Sequence, residues 1–260
     1  MIHNLALYLL SLLFLALPVQ QTAQGETLVS ALSAHEVNIT SNFTGTEITV
    51  FGEISRDAAT VARAGSYDIV VVVEGPPERV TTWRKERIFG LWINAASKTY
   101  TNVPSFYAVH STRPLLDITE DNTLKVQRTG LVNLPLAPFG VRLPTAEDRR
   151  AFREAFLQER VDLGLYAERP DTIRFLSSTL FATSIPLPAN VPVGTFTVTS
   201  YLYNGGIVLA QETQHLTVAK KGFEQFTFDL ANDNPALYGI IAVVLALFTG
   251  WLAGVIFRKD

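Results

Sequence analysis

ALYGIIAVVLALFTGWLAGVIF, Ala236 to Phe257, runs for 22 residues without a charge and is followed by Arg258, Lys259 and Asp260. At about 1.5 Å per residue, such a helix crosses a hydrocarbon layer of about 30 Å. The stretch predicts a single transmembrane helix over 236–257 that leaves a short tail, 258–260. Cytoplasmic flanks favour Lys and Arg, so Arg258 and Lys259 assign that tail to the cytoplasm. Ala242, Ala246, Gly250 and Gly254 recur every four residues. Small residues on one face let helix backbones approach closely, a main driver of association inside lipid. These four are therefore the candidate helix-packing positions, against a second copy or a multi-spanning transporter. Tyr238 stands where an aromatic ring marks the outer interface.

The other end agrees with this topology. Leu5 to Leu17 is apolar but too short to span easily, and Pro18 and small polar residues follow it. With Ala23-Gln24-Gly25 as a small-x-small cleavage site, residues 1–25 read as a signal peptide. The segment before Leu5 has no Lys or Arg, which keeps an uncleaved anchor as the alternative. The chain has no cysteine. A eukaryotic secreted domain of this size usually carries disulfides, so the expected setting is a bacterial inner membrane with the folded part in the periplasm. In that setting Asn38-Ile39-Thr40 and Asn42-Phe43-Thr44 match the glycosylation pattern by chance.

The folded part begins as β structure. Glu36–Thr40, Glu47–Ile54 and Tyr67–Glu74 are rich in β-branched and aromatic residues and end at Gly, Asn, Asp or Pro. Ile69 to Val73 is apolar throughout, as in a central strand. Shorter strands are expected at Arg79–Arg84, Ile88–Ile93 and Phe106–Ser111. Leu134 to Gly140 breaks regular structure. Thr145 and Asp148 then have capping-box spacing before a helix that buries Phe152 and Phe156. Strands return at Leu180–Leu187, Gly194–Tyr203 and Ile207–Ala219, the last two joined by a tight turn at Asn204-Gly205-Gly206.

This pattern predicts a mainly β protein: an immunoglobulin-like β-sandwich with a helical insertion, plus the membrane helix. The expected divisions are a first β module over 26–115, an irregular and helical connector over 116–166 and a second β module over 167–219 that shares sheets with the first. A juxtamembrane segment over 220–235 follows, in which Phe223, Phe226, Phe228 and Leu230 form either an amphipathic turn at headgroup level or a plain linker.

Charge excludes one class of partner. The net charge is −3 and there is no basic field to neutralise phosphates, so nucleic acid is not an expected ligand. The one dense basic spot is Arg84, Lys85 and Arg87, a solvated strand or turn and the candidate contact for an anion or lipid headgroup. Catalytic signatures are lacking. His35, His110 and His215 are far apart in sequence, no metal-ligand spacing occurs, and no nucleophile elbow, phosphate loop, dinucleotide fingerprint or cysteine nucleophile is present. Glu147-Asp148 complements a helix start. Glu120-Asp121-Asn122 reads as a turn without the further oxygens that a calcium loop needs.

Arg87 to Asn94, Pro104 to Ser111, Leu163 to Tyr166, Ile185 to Gly194 and Leu237-Tyr238-Gly239 leading to Gly250-Trp251-Leu252-Ala253 together resemble the "putative transmembrane protein" family of alphaproteobacteria. The resemblance covers nearly the whole chain after the signal peptide. It implies a sulfite-exporter-like permease as partner and transfers no catalytic or binding residue. The expected function is that of a membrane-anchored periplasmic accessory or interaction protein, with no enzymatic activity and no cofactor. The alternatives are a ligand-binding or sensing domain for a small anion or metal, gathering His110 with Arg84 or Arg87 and the tryptophans, and a hydrolase with convergent Ser, His and Asp.

Overall fold

The computed structural model describes residues 26–55, 66–140, 145–222 and 230–256. Residues 1–25, expected to be a signal peptide, together with Phe223, Phe226, Phe228 and the 258–260 tail, lie outside them. The described residues are mainly β, with one long apolar helix at the C-terminal end.

Two sheets face each other. The first has the order β1 (Thr27–Leu32), β3 (Gly45–Ser55), β11 (Leu180–Pro188), β10 (Arg174–Phe175). The second has the order β2 (Glu36–Ile39), β13 (Ile207–Lys220), β12 (Gly194–Asn204), β4 (Tyr67–Glu74), β7 (Tyr107–Ser111), β9 (Tyr166–Arg169). Pairing is antiparallel except for β2 with β13 and β7 with β9. Strands from both halves of the chain share both sheets, since β3 pairs with β11 and β4 with β12.

Period-two alternation builds the core between the sheets. Ile48, Val50 and Ile54 of β3, Phe181, Ile185 and Leu187 of β11, and Phe196, Val198 and Leu202 of β12 are all buried. β4 differs because Asp68 to Val73 is buried on both faces. Ile69, Val71 and Val73 share a face with the inward residues of β12. Val70 and Val72 lie on the opposite face, under a connector that carries α1 (Leu115–Ile118) and α2 (Asp121–Gln127). That connector is tied down by polar contacts. Tyr107 accepts from the Gly130 N–H at 3.0 Å and donates to the Arg128 carbonyl at 3.2 Å, Tyr203 bonds Gln127, and Thr119 donates to the Gly206 carbonyl at 2.6 Å.

The main departure from a plain sandwich begins at Glu74. The β4–β7 ladder continues through Gly75 and Phe106 (2.8 Å), then Pro76 and Ser105 (3.0 Å), into β5 (Pro77–Ile88) and β6 (Leu91–Pro104). One antiparallel ribbon thus runs from the sandwich to a turn at Phe89-Gly90. We call its outer part the arm. At about 3.3 Å per residue, the twelve residues of β5 extend it by about 40 Å. This corrects two expectations. Ile88–Ile93 is a strand interrupted by a two-residue turn, and Leu134–Gly140 contains a short strand, β8 (Ala137–Phe139), paired with β6. A third correction is that Asp121 opens helix α2.

Helix α3 (Ala146–Asp162) braces the arm. Thr145 accepts from the Asp148 N–H at 2.9 Å and donates its hydroxyl to the Asp148 carboxylate at 2.7 Å, so the capping box forms as the spacing indicates. The same carboxylate accepts from Arg84 on β5 at 2.8 Å. Near the other end of the helix, Arg160 bonds Glu78 of β5 at 2.6 Å. Twelve residues of helix rise about 18 Å and six of strand about 20 Å, so the two ion pairs hold helix and strand side by side. Between them Phe156, fully buried, packs on Tyr100 of β6 at 5.4 Å and Tyr166 of β9 at 6.0 Å. Replacing such a ring with alanine typically costs about 3–5 kcal/mol. Phe156→Ala is therefore expected to lower denaturant stability in detergent by that order and to raise amide exchange in β5 and β6. Unchanged exchange in the arm would contradict the brace.

Candidate functional site

The outer arm concentrates features that folding alone does not explain. Its sequence from Trp83 is WRKERIFGLWIN, and Glu86 is the only carboxylate in it. Arg84 bonds that carboxylate at 3.0 Å and also holds Asp148. The hydroxyl of Thr145, and then Arg84, hold the Asp148 carboxyl below the usual carboxylate range. Lys85 and Arg87 are exposed, and Arg87 donates to the Gly90 carbonyl at 3.4 Å.

Beyond them the arm is apolar and bare. Phe89 is 100% exposed, Leu91 70%, Trp92 69%, and Ile88 and Ile93 are also in solvent. In the register of the ladder, Arg87 lies opposite Trp92, Ile88 opposite Leu91 and Glu86 opposite Ile93. Residues opposite one another point to the same face, so Trp92 lies on one face and Ile88, Leu91 and Ile93 on the other. Phe89 stands at the apex with φ 48° and Gly90 with φ 81°. A two-residue turn with both φ values positive is ordinarily made by Asn-Gly or Asp-Gly. Placing a bulky apolar residue in the left-handed region, fully in water, costs stability twice.

A cleft of about 340 Å³ lies at the root of the arm, lined by Glu74, Asn102, Gln127, Arg128 and Thr197 among others. Asn102 and Arg128 both have positive φ, 59° and 55°. Burial raises the pKa of Glu74, against the opposing effect of Arg128.

The remaining residues singled out in the sequence do not converge. His110 is 1% exposed on the inward face of β7, with Nδ1 2.9 Å from the Thr183 hydroxyl of β11 and no partner for Nε2 among the described residues. It is thus held between the sheets, whereas Arg84 and Arg87 lie on the exposed arm, and the structure does not gather them into one pocket. Among the described residues no three His, Asp or Glu side chains form a metal-holding group.

Helix α4 (Pro235–Ile256) has a mean hydropathy of 2.4 over its most apolar window and no buried residue. Apart from the adjoining turns of the helix itself, no atom of the described residues lies within 4 Å of where a Cβ would stand on Gly250 or Gly254. The Thr249 hydroxyl donates to the Leu245 and Ala246 carbonyls, so the one hydroxyl in the middle of the apolar run is satisfied within the helix. The arm was the feature that local sequence reading missed, and the clue to it was the Phe-Gly pair set between two apolar runs.

Burial, with a smaller contribution from Arg169, lowers the His110 pKa to about 4, against about 6.5 in an unfolded chain. Between those values the unfolded chain takes up a proton that the folded chain refuses. His110 therefore withdraws stability as pH falls from 6.5 to 4, up to about 3 kcal/mol, and adds no pH dependence above 6.5. Unfolding measured across that range should show the loss in the native chain and a flatter profile in His110→Gln. Equal slopes would contradict a neutral buried imidazole.

No curated protein matches the chain. Among solved structures, the sporulation control protein Spo0M of Bacillus subtilis is 9% identical with a TM-score of 0.29, covering 81% of this chain and 56% of that one. The native conformation of E. coli alpha-2-macroglobulin is 11% identical with a TM-score of 0.25, covering 75% of this chain and 10% of that one. Thus the chain spans little more than half of the first and a tenth of the second, and neither likeness reaches that of a shared fold. A family model matches residues 27–259, from the first strand through the apolar helix. The chain belongs to the family described as "Putative transmembrane protein".

Proposed function

We propose that this protein is a membrane-anchored accessory protein without catalytic activity. Its sandwich and arm stand in the periplasm, and α4 crosses the bacterial inner membrane to dock on another membrane protein. The observation that carries this reading is α4 itself, apolar on every side and with no residue buried against the other described residues. An anchor alone needs only apolar length. The open Ala242, Ala246, Gly250 and Gly254 face also offers close approach to a second helix. The partner that the family resemblance implies is a sulfite-exporter-like permease. The strand order of the two sheets supports an immunoglobulin-like reading of the sandwich, with the arm as an extension of one of its hairpins. Gly250→Leu combined with Gly254→Leu fills the close-approach face without reducing hydrophobicity. The double variant should stay in the membrane and lose its detergent-stable complex, as read by co-purification. An undiminished complex would contradict docking through this face.

A second reading, a sensing domain for a small anion, is favoured by the root cleft. Arg128 lies there on strained backbone beside Asn102, and such strain concentrates at binding sites. On this reading sulfite or sulfate raises the melting temperature of the full chain, and Arg128→Gln abolishes the rise. No shift at millimolar anion would remove this reading.

A further inference from the structure

We propose that the arm is a second membrane contact, its tip from Ile88 to Ile93 entering the headgroup and upper acyl region of the leaflet that faces the sandwich. The inference rests on α4 spanning the membrane and adds a surface that the docking of α4 does not require.

The pairing register puts arm and anchor at the same end of the sandwich. β4 leaves the second sheet at Glu74, opposite Thr197, and β13 ends just past Val218, opposite Gly194. Gly194 has φ 137°, and a Cβ there would stand 2.7 Å from Pro76 at the arm root. The chain therefore sets out toward the bilayer from beside the base of the arm. Of the 14 residues between β13 and α4, Leu230 to Asp233 are helical, so the segment reaches at most about 39–42 Å. An arm of about 40 Å falls within that reach.

The chemistry of the tip selects lipid over a protein groove. A hairpin that docks on a protein sheet or cleft offers one apolar face and keeps the other polar. Here Trp92 is on one face, Ile88, Leu91 and Ile93 are on the other, and Phe89 is at the apex, all exposed. Large apolar side chains at the apex and on both faces, with Arg87 directly opposite Trp92, suit the boundary between headgroups and acyl chains. Lys85 flanks it on the sandwich side and Arg87 stands level with Trp92, both with stems long enough to carry their charge back to the phosphates, and Trp92 stands where indole rings favour the interface. The single carboxylate, Glu86, is already engaged by Arg84. Its brace, α3, holds the arm through Arg84 and leaves Lys85 to Asn94 projecting.

The three tryptophans, Trp83, Trp92 and Trp251, supply native probes. Trp83→Phe with Trp251→Phe leaves Trp92 alone, and Trp83→Phe with Trp92→Phe leaves Trp251 in α4. Each full-length chain is reconstituted into vesicles of phosphatidylethanolamine and phosphatidylglycerol with and without lipid brominated near the top of the acyl chain. The expected result is that bromination at least halves Trp92 emission, and that a peak blue-shifted relative to detergent-free aggregate controls persists in high salt. A third chain adds Phe89→Asn, Leu91→Ser and Ile93→Thr to the Trp92 probe. Asn-Gly is a favourable turn of this type, so the arm should still form while quenching falls by more than half. Quenched Trp251 with unquenched Trp92 would overturn the arm contact and leave the anchor standing. If neither is quenched by bromines at any acyl depth, both the arm contact and the membrane-spanning reading fail. Full quenching that survives in the polar-tip chain would also overturn the proposal, because apolar insertion would not be its cause.

Discussion

The uninterrupted pairing of β4 with β7 and then β5 with β6 is the constraint on which the rest depends. Had the ladder stopped at Glu74, residues 75–106 would be an ordinary loop over the end of a sandwich. Because Gly75 bonds Phe106 and Ser105 bonds Pro76, the register of the central strand passes directly into the arm. The rigidity of a strand buried on both faces thereby fixes where a projecting ribbon about 40 Å long begins. Helix α3 supplies the second point of support. Thr145 caps the helix by accepting from the Asp148 N–H, and the Asp148 carboxylate accepts from both the Thr145 hydroxyl and Arg84, so the start of the helix is tied directly to the arm.

The distribution of polar groups follows from this division of labour. Within the sandwich, buried polar side chains are placed to hold strands and connector together. Asp68, 4% exposed, accepts two bonds from Arg113 and one from Thr112, and His110 stays neutral against Thr183. In the arm the pattern reverses, with charged groups near the brace and apolar ones at the far end. An isolated soluble domain gains nothing from exposing Phe89, Leu91 and Trp92. Membership of a transmembrane family and the apolar helix at the other end of the chain give that exposure a physical context.

Much of this was legible in the residues, and the limits have physical causes. The membrane helix is visible because a charge-free run of 22 residues has few alternatives. The central place of β4 is visible because a strand covered on both faces cannot alternate. The Thr145–Asp148 cap is visible because both partners lie within four residues. The arm is not, for two reasons. Phe89-Gly90 lacks the Asn or Asp that announces a tight turn, so Ile88 to Ile93 looks like one strand. The contacts that brace it join residues far apart, Arg84 with Asp148 and Glu78 with Arg160, and no local pattern reports them. Arg84, Lys85 and Arg87 were recognisable as a basic spot. Only the structure shows that Arg84 holds the brace while Lys85 and Arg87 share a face with Trp92 near the tip.

The proposed placement has arm and anchor meeting the same bilayer. A nitroxide on Phe89→Cys, in a chain that has no native cysteine, tests it most directly by comparing relaxation by oxygen, which concentrates in lipid, with relaxation by a nickel chelate, which stays in water. In full-length protein held in nanodiscs the account predicts oxygen-dominated relaxation at position 89 and nickel-dominated relaxation at Ile207→Cys, at the opposite end of the sandwich. Nickel-dominated relaxation at both positions would contradict it.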